Sequence, residues 1–143
     1  MILWMQQVQN RAERGFTLVE LLVVMSIIAI LATIAFPAYL GEVTRSRRAD
    51  GQILMSELMQ QQERWFTENN TYTLNLGPGG LGRTVDGSGG VVSPEGFYRI
   101  VASACGAGIG SCVQLTAVAL AGQAKDGNLT CDSRGNRLPL DKW

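Results

Sequence analysis

Gly15-Phe16-Thr17-Leu18-Val19-Glu20-Leu21 opens an apolar run that carries no charge from Leu21 through Gly41. Between Leu21 and Phe36 the chain uses only Leu, Val, Met, Ser, Ile, Ala, Thr and Phe, and Phe16 to Val19 extend the run backwards by one helical turn. About 20 apolar residues span a bilayer as a helix. The run has none of the alternation of a half-buried strand, and it exceeds the roughly 7 to 15 residue core of an ordinary signal peptide. Composition alone leaves a plain membrane anchor or an uncleaved signal. Glu20 fits neither, because a carboxylate inside a membrane helix costs roughly 2.5 to 3.5 kcal/mol at the centre and less near an interface.

Beyond the run the helical pattern continues. Leu54, Leu58 and Trp65, with Met55, Met59 and Phe66 beside them, recur at spacings of three, four and seven, which is one broad apolar stripe. Arg45 to Glu68 holds no proline and a single glycine, Gly51. The expectation is one helix from Phe16 to about Asn69, kinked at Pro37, where a backbone hydrogen bond is missing and the preceding turn is crowded. Its second half would dock a sheet. Its first half would stay bare, and such a surface is insoluble except in lipid or packed against copies of itself.

Asn69-Asn70-Thr71 ends the helical pattern, and Gly77 to Gly90 holds seven glycines and Pro78 in fourteen residues. That composition predicts a mobile, poorly packed loop. A phosphate-cradling role finds no Gly-Lys-Ser/Thr sequence to support it. Phe97 to Ala104 and Val113 to Leu120 are β-rich runs separated by a glycine-rich loop, which reads as a hairpin. Leu129 to Asp132 reads as a third strand before the Ser133-Arg134-Gly135-Asn136 turn, and Leu138 to Trp143 as a returning edge. A helix followed by strands gives an α+β class, with a small antiparallel sheet on the helix stripe.

Arg14-Gly15-Phe16-Thr17-Leu18-Val19-Glu20-Leu21, with the apolar helix, Pro37 and Tyr39 after it, resembles a type IV prepilin. In that family a basic leader ends in Gly, and a prepilin peptidase cuts after it and methylates the new N-terminal residue. The resemblance implies three segments: a cleaved leader at 1–15, a membrane and polymerisation half-helix at 16–44, and a globular head at 45–143. It implies cleavage between Gly15 and Phe16 and N-methylation of Phe16. It also implies a structural subunit of a pilus rather than an enzyme, stored in the inner membrane with leader cytoplasmic and head periplasmic, then assembled into an extracellular filament for adhesion or motility. The implied partners are other pilin subunits, the prepilin peptidase, the assembly platform and the inner membrane; nucleic acid could be met at the level of the filament. Cleavage would create a cationic amine at Phe16, one turn from Glu20. In a filament Glu20 could meet the amine of a neighbouring subunit, so that a buried ion pair sets register.

Gln61 to Tyr72 and Gly122 to Thr130 resemble stretches of minor pilins, which points to a minor or assembly-priming subunit. The alternative is a type II secretion pseudopilin, and a remote one is a membrane-anchored enzyme. The pseudopilin would be favoured by a calcium loop near the C-terminus, but Asp126, Asp132 and Asp141 are scattered. No histidine is present, which removes most thiol–histidine catalysis and most zinc sites, and no cofactor or metal is expected.

The precursor has 12 basic and 12 acidic side chains. Removing Arg11, Arg14 and Glu13 leaves ten against eleven, so no strongly charged partner is implied. Arg45, Arg47 and Arg48 suggest a solvated or subunit-contacting face more than a nucleic-acid or lipid site, since Glu42 and Asp50 lie among them. Cys105 and Cys112 end the two hairpin strands and are expected to form a disulfide in an oxidising compartment. Cys131 shares strand parity with Leu129 and should point into the core, although pairing with either other cysteine stays open.

Overall fold

The computed structural model describes residues 15–106 and 108–143; the expected leader, apart from Gly15, and Ala107 lie outside the described residues. The chain divides between Tyr39 and Leu40 into two compact units. Helix α1, Leu18–Asn69, runs through both and includes Pro37. In the first unit every described residue is exposed, including Ile30 at 65% and Phe36 at 63%. By length and composition α1 can cross a membrane.

The second unit is an antiparallel meander on α1. Its strands are β1 (Val91–Val92), β2 (Tyr98–Ala104), β3 (Val113–Ala119), β4 (Leu129–Asp132) and β5 (Arg137–Leu138), in that spatial order. Period-two alternation turns Tyr98 and Ile100, Val113, Leu115 and Ala117, and Leu129 and Cys131 inward. Most of these side chains form the core with Leu54, Met55 and Leu58 of the helix stripe. Each fully buried side chain of this size contributes roughly 1.5 to 3 kcal/mol.

Two features of the helix face escape an apolar pattern. Gly51 is buried because a Cβ there would lie 2.8 Å from the Tyr98 ring, so glycine lets α1 and β2 approach. Gln62 is fully buried, its Nε2 donating to the Thr73 carbonyl at 2.6 Å and its Oε1 accepting from the Thr73 amide at 3.0 Å. This amide pair clamps the chain as it leaves the helix. Trp65 and Phe66, expected on the stripe, are only half-buried, and Phe66 stacks on Tyr72 with ring centroids 4.6 Å apart.

The segment from Gly77 to Gly90 is better packed than its composition suggests. Leu81 and Val85 pack against the core. The Asp86 carboxylate accepts from the Ser88 and Gly90 amides, and a Cβ at Gly80 would fall 1.9 Å from the Asn75 carbonyl oxygen. Several of these glycines serve close approach and turn geometry rather than slackness. The chain after β4 also differs from the expectation. Only Arg137–Leu138 pairs as an edge strand, and Leu140–Lys142 forms a 3-10 turn, because Pro139 has no amide to extend the ladder. Cys105 and Cys112 form the disulfide, and Cys131 is a buried free thiol, 8% exposed.

Candidate assembly surface and head clasp

The entry to α1 is built by a cap. Thr17 precedes the helix; its Oγ1 accepts from the Glu20 amide at 3.2 Å and its carbonyl accepts from the Leu21 amide at 3.2 Å. Thr17 thus caps the helix through its hydroxyl, and Thr17 to Glu20 matches the Thr-x-x-Glu sequence pattern of a capping box. A carboxylate in the first turn also complements the positive end of the helix dipole. The sequence signal for this was present in Thr17-Leu18-Val19-Glu20 and is distinct from the membrane argument. With Gly15 before it, the Phe16 nitrogen is a peptide amide and offers Glu20 no cation.

The rest of the half-helix leaves little polar surface. Ser26 donates to the Leu22 carbonyl at 2.8 Å and Thr33 to the Ile30 carbonyl at 2.7 Å, which satisfies both hydroxyls within the helix, as an apolar surrounding requires. Around them Leu22, Ile27, Ile28, Leu31 and Ile34 are all more than half exposed. Glu20 is the sole charged side chain from Phe16 to Gly41.

In the head, the buried carboxylate of Asp126 gathers the elements. Arg48 of α1 donates to it bidentately, Nε to Oδ2 at 2.8 Å and Nη2 to Oδ1 at 2.5 Å. Tyr98 of β2 donates at 2.9 Å, and Gln123 donates at 3.1 Å while reaching the Thr44 carbonyl at 2.9 Å. Lys142 Nζ lies 3.8 Å from Asp126 Oδ1 and donates to the Asp126 backbone carbonyl, and Gln52 donates to the Lys142 carbonyl at 2.6 Å. Helix, sheet, β3–β4 loop and C-terminal tail therefore meet at one carboxylate.

The fork from Arg48 is the chief reason that Asp126 is held at about 2. Burial first, then the bond to Asp126, pushes the Tyr98 hydroxyl up to about 12. A carboxylate so saturated with donors is a clasp and a poor general base. Among the described residues one three-residue group has metal-ligand side chains close together, Cys105, Cys112 and Asp132. Its two sulfurs are joined in the disulfide and offer no thiolate.

Of the residues singled out from sequence, Phe16, Glu20 and Pro37 fall in the bare unit, and Cys105 and Cys112 close the β2–β3 hairpin. Asp126 was legible only as one scattered acid.

A capped, bare apolar helix that continues into an antiparallel meander defines a type IV pilin fold. The solved structure of a type IV pilin from Shewanella oneidensis overlays with a TM-score of 0.50 over 68% of this chain and 92% of that one, at 22% identity. Residues 10–36 match the prokaryotic N-terminal methylation motif. Residues 37–134 match the family described as type IV minor pilin ComP, DNA uptake sequence receptor. The fimbrial protein EcpC of Eikenella corrodens is 31% identical over 131 residues, 89% of this chain and 86% of that protein. The type IV major fimbrial protein FimA of Dichelobacter nodosus is 32% identical over 111 residues, 73% of this chain and 66% of that protein. The chain belongs to the type IV pilin family and is a structural pilus subunit, membrane-anchored by its apolar helix before it joins a filament.

Proposed function

We propose that this chain is a minor, assembly-priming pilin that is cut between Gly15 and Phe16, N-methylated at Phe16 and extracted from the inner membrane into a filament. The observation that carries the polymerisation mechanism is the bare half-helix with one carboxylate in its first turn. On this reading 1–15 is the leader, 16–44 the polymerising helix and 45–143 the head. The leader faces the cytoplasm, the head the periplasm, and the mature subunit ends on the cell surface. Prepilin peptidase and the assembly platform are its transient partners, and other pilins its lasting ones. Pro37 kinks the helix by leaving the Thr33 carbonyl without its usual partner. The role is structural, with no catalytic step assigned to the head.

Replacing Gly15 with Trp should leave the leader attached. Mass spectrometry of the membrane fraction is expected to find a methylated Phe16 N-terminus in the parent chain and an intact Met1 N-terminus in Gly15→Trp. A cleaved variant would overturn the processing site. The match of the head to a minor-pilin family supports the finer assignment. Purified filaments should contain this chain in trace amounts relative to another pilin. A stoichiometric amount would make it a major subunit, and absence from surface fibres would favour the secretion pseudopilin.

The name of the matched family also raises DNA. One feature of this head favours contact with nucleic acid: Arg137 lies 5.0 Å over the Trp143 ring and Arg134 is exposed on the same β4–β5 turn, an arginine and aromatic pairing suited to stacking. Against it, residues 40–143 carry ten basic and ten acidic side chains, whereas phosphate contacts dominate affinity for DNA. A single head is therefore unfavoured as a DNA receptor, and any contact with nucleic acid is left to the level of the filament.

A further inference from the structure

A cleft of about 490 Å³ lies between α1 and the chain's last residues, lined by Gly41, Arg45, Arg48, Gln52, Lys142 and Trp143. Asp141 also lines it. Two of its cations are already engaged, because Arg48 and Lys142 share Asp126. Arg45 is exposed and makes no hydrogen bond or ion pair among the described residues. With Arg48 and Lys142 engaged by Asp126, Arg45 is the unengaged cation of the cleft and Asp141 a lining acid.

The position of that charge in the chain is informative. Gly41 is the last residue of the uncharged run, and Arg45 follows one turn later in the same helix, a rise of about 6 Å. For a subunit stored in a bilayer this is headgroup depth. There an arginine extends its guanidinium to the phosphates while its stem lies along apolar surface, and a tryptophan is at home at the interface. A guanidinium also matches a phosphate oxygen pair in geometry.

We infer that this cleft seats the phosphate of an anionic phospholipid headgroup on Arg45 while the subunit waits in the membrane. The assignment rests on membrane storage and is independent of the minor-pilin reading. Arg48 and Lys142 shape the wall, Asp126 offsets their charge, and Asp141 opposes the incoming phosphate. The seat would hold the head against the bilayer until extraction strips the lipid away.

The test uses the full chain. Flotation with phosphatidylcholine vesicles checks storage first; a chain that does not float refutes the membrane premise itself. Native mass spectrometry of the chain in non-ionic detergent then counts bound phosphatidylglycerol. Arg45→Gln is expected to lower its affinity about fivefold, the weight of one basic residue at an anionic surface, and Asp141→Asn to raise it. Arg134→Gln, on the β4–β5 turn, should bind as the parent does. Excess inorganic phosphate should leave the lipid in place. Equal binding by the parent and Arg45→Gln would overturn the seat, and ready displacement by inorganic phosphate would show a free-anion site and overturn the lipid assignment. Arg45 is exposed and makes no hydrogen bond or ion pair among the described residues, so its replacement should leave the head folded.

Discussion

Asp126→Ala is expected to destabilise the head by about 3 to 5 kcal/mol, the cost of removing one partner from a buried ion pair. The magnitude follows from what is stranded. Arg48 loses a bidentate acceptor, Tyr98 loses the carboxylate that accepts from its buried hydroxyl, and Gln123 loses one of its two acceptors. For a head of about 100 residues each kcal/mol moves the melting temperature by roughly 4 to 8 °C, so a fall of at least about 12 °C is expected by circular dichroism of the full chain in detergent. A change of only a few degrees would show that the clasp is ornamental. Asp126→Asn retains the shape and one acceptor, and should cost less.

The same carboxylate sets an acid limit. Asp126 sits at about 2 in the folded head, chiefly through the hydrogen bonds from Arg48, against about 3.9 in an unfolded chain. A depressed pKa contributes stability that is fully present above the unfolded value and is lost as pH falls towards the folded one. The parent chain should therefore lose roughly 2 kcal/mol between about pH 4 and pH 2 from this group alone. Asp126→Asn lacks the titrating group, so its stability should fall less across that window.

Much of the fold was written in residue periodicity, and what escaped did so for physical reasons. The apolar run and the Leu54, Met55 and Leu58 stripe gave α1 because burial there follows the 3.6-residue repeat. The strands at Tyr98–Ala104, Val113–Ala119 and Leu129–Asp132 were legible through β-branched alternation, and two flanking cysteines marked the hairpin. The two-residue strand β1 was missed because Val91–Val92 is too short to show a period and follows a glycine-rich segment. Gln62 and Gly51 were missed because neither is apolar; their burial depends on Thr73 and Tyr98, which are distant in sequence. Asp126 illustrates the limit best. Its stretch Gly122 to Thr130 stood out only by resemblance, since a lone Asp in a loop says nothing about an Arg 78 residues away.

Glu20→Ala should leave membrane insertion intact or slightly improved, because it removes the costly carboxylate from the apolar segment, while incorporation into sheared filaments falls at least about tenfold, equivalent to about 1.4 kcal/mol. The expected loss has two possible origins, and the capped entry to α1 separates them. Glu20 stands at the third helical position after Thr17, where glutamine can support a cap as well as glutamate, so Glu20→Gln retains any capping capacity and removes only the charge. If the carboxylate acts through an amine created by cleavage at Phe16, Glu20→Gln should fail in assembly as badly as Glu20→Ala, since an amide cannot neutralise a buried cation. Restoration of assembly by Glu20→Gln would reduce Glu20 to a helix cap and overturn its pairing role. The electrostatic account requires a further asymmetry. Glu20→Ala subunits still carry the Phe16 amine, so in mixed filaments they can be received by a parent neighbour's carboxylate on one side and offer none on the other. Co-expression with the parent chain should therefore rescue part of the incorporation, measured by mass spectrometry of the filaments, whereas a defect in the helix cap would stay with the variant subunit and gain nothing from its neighbours.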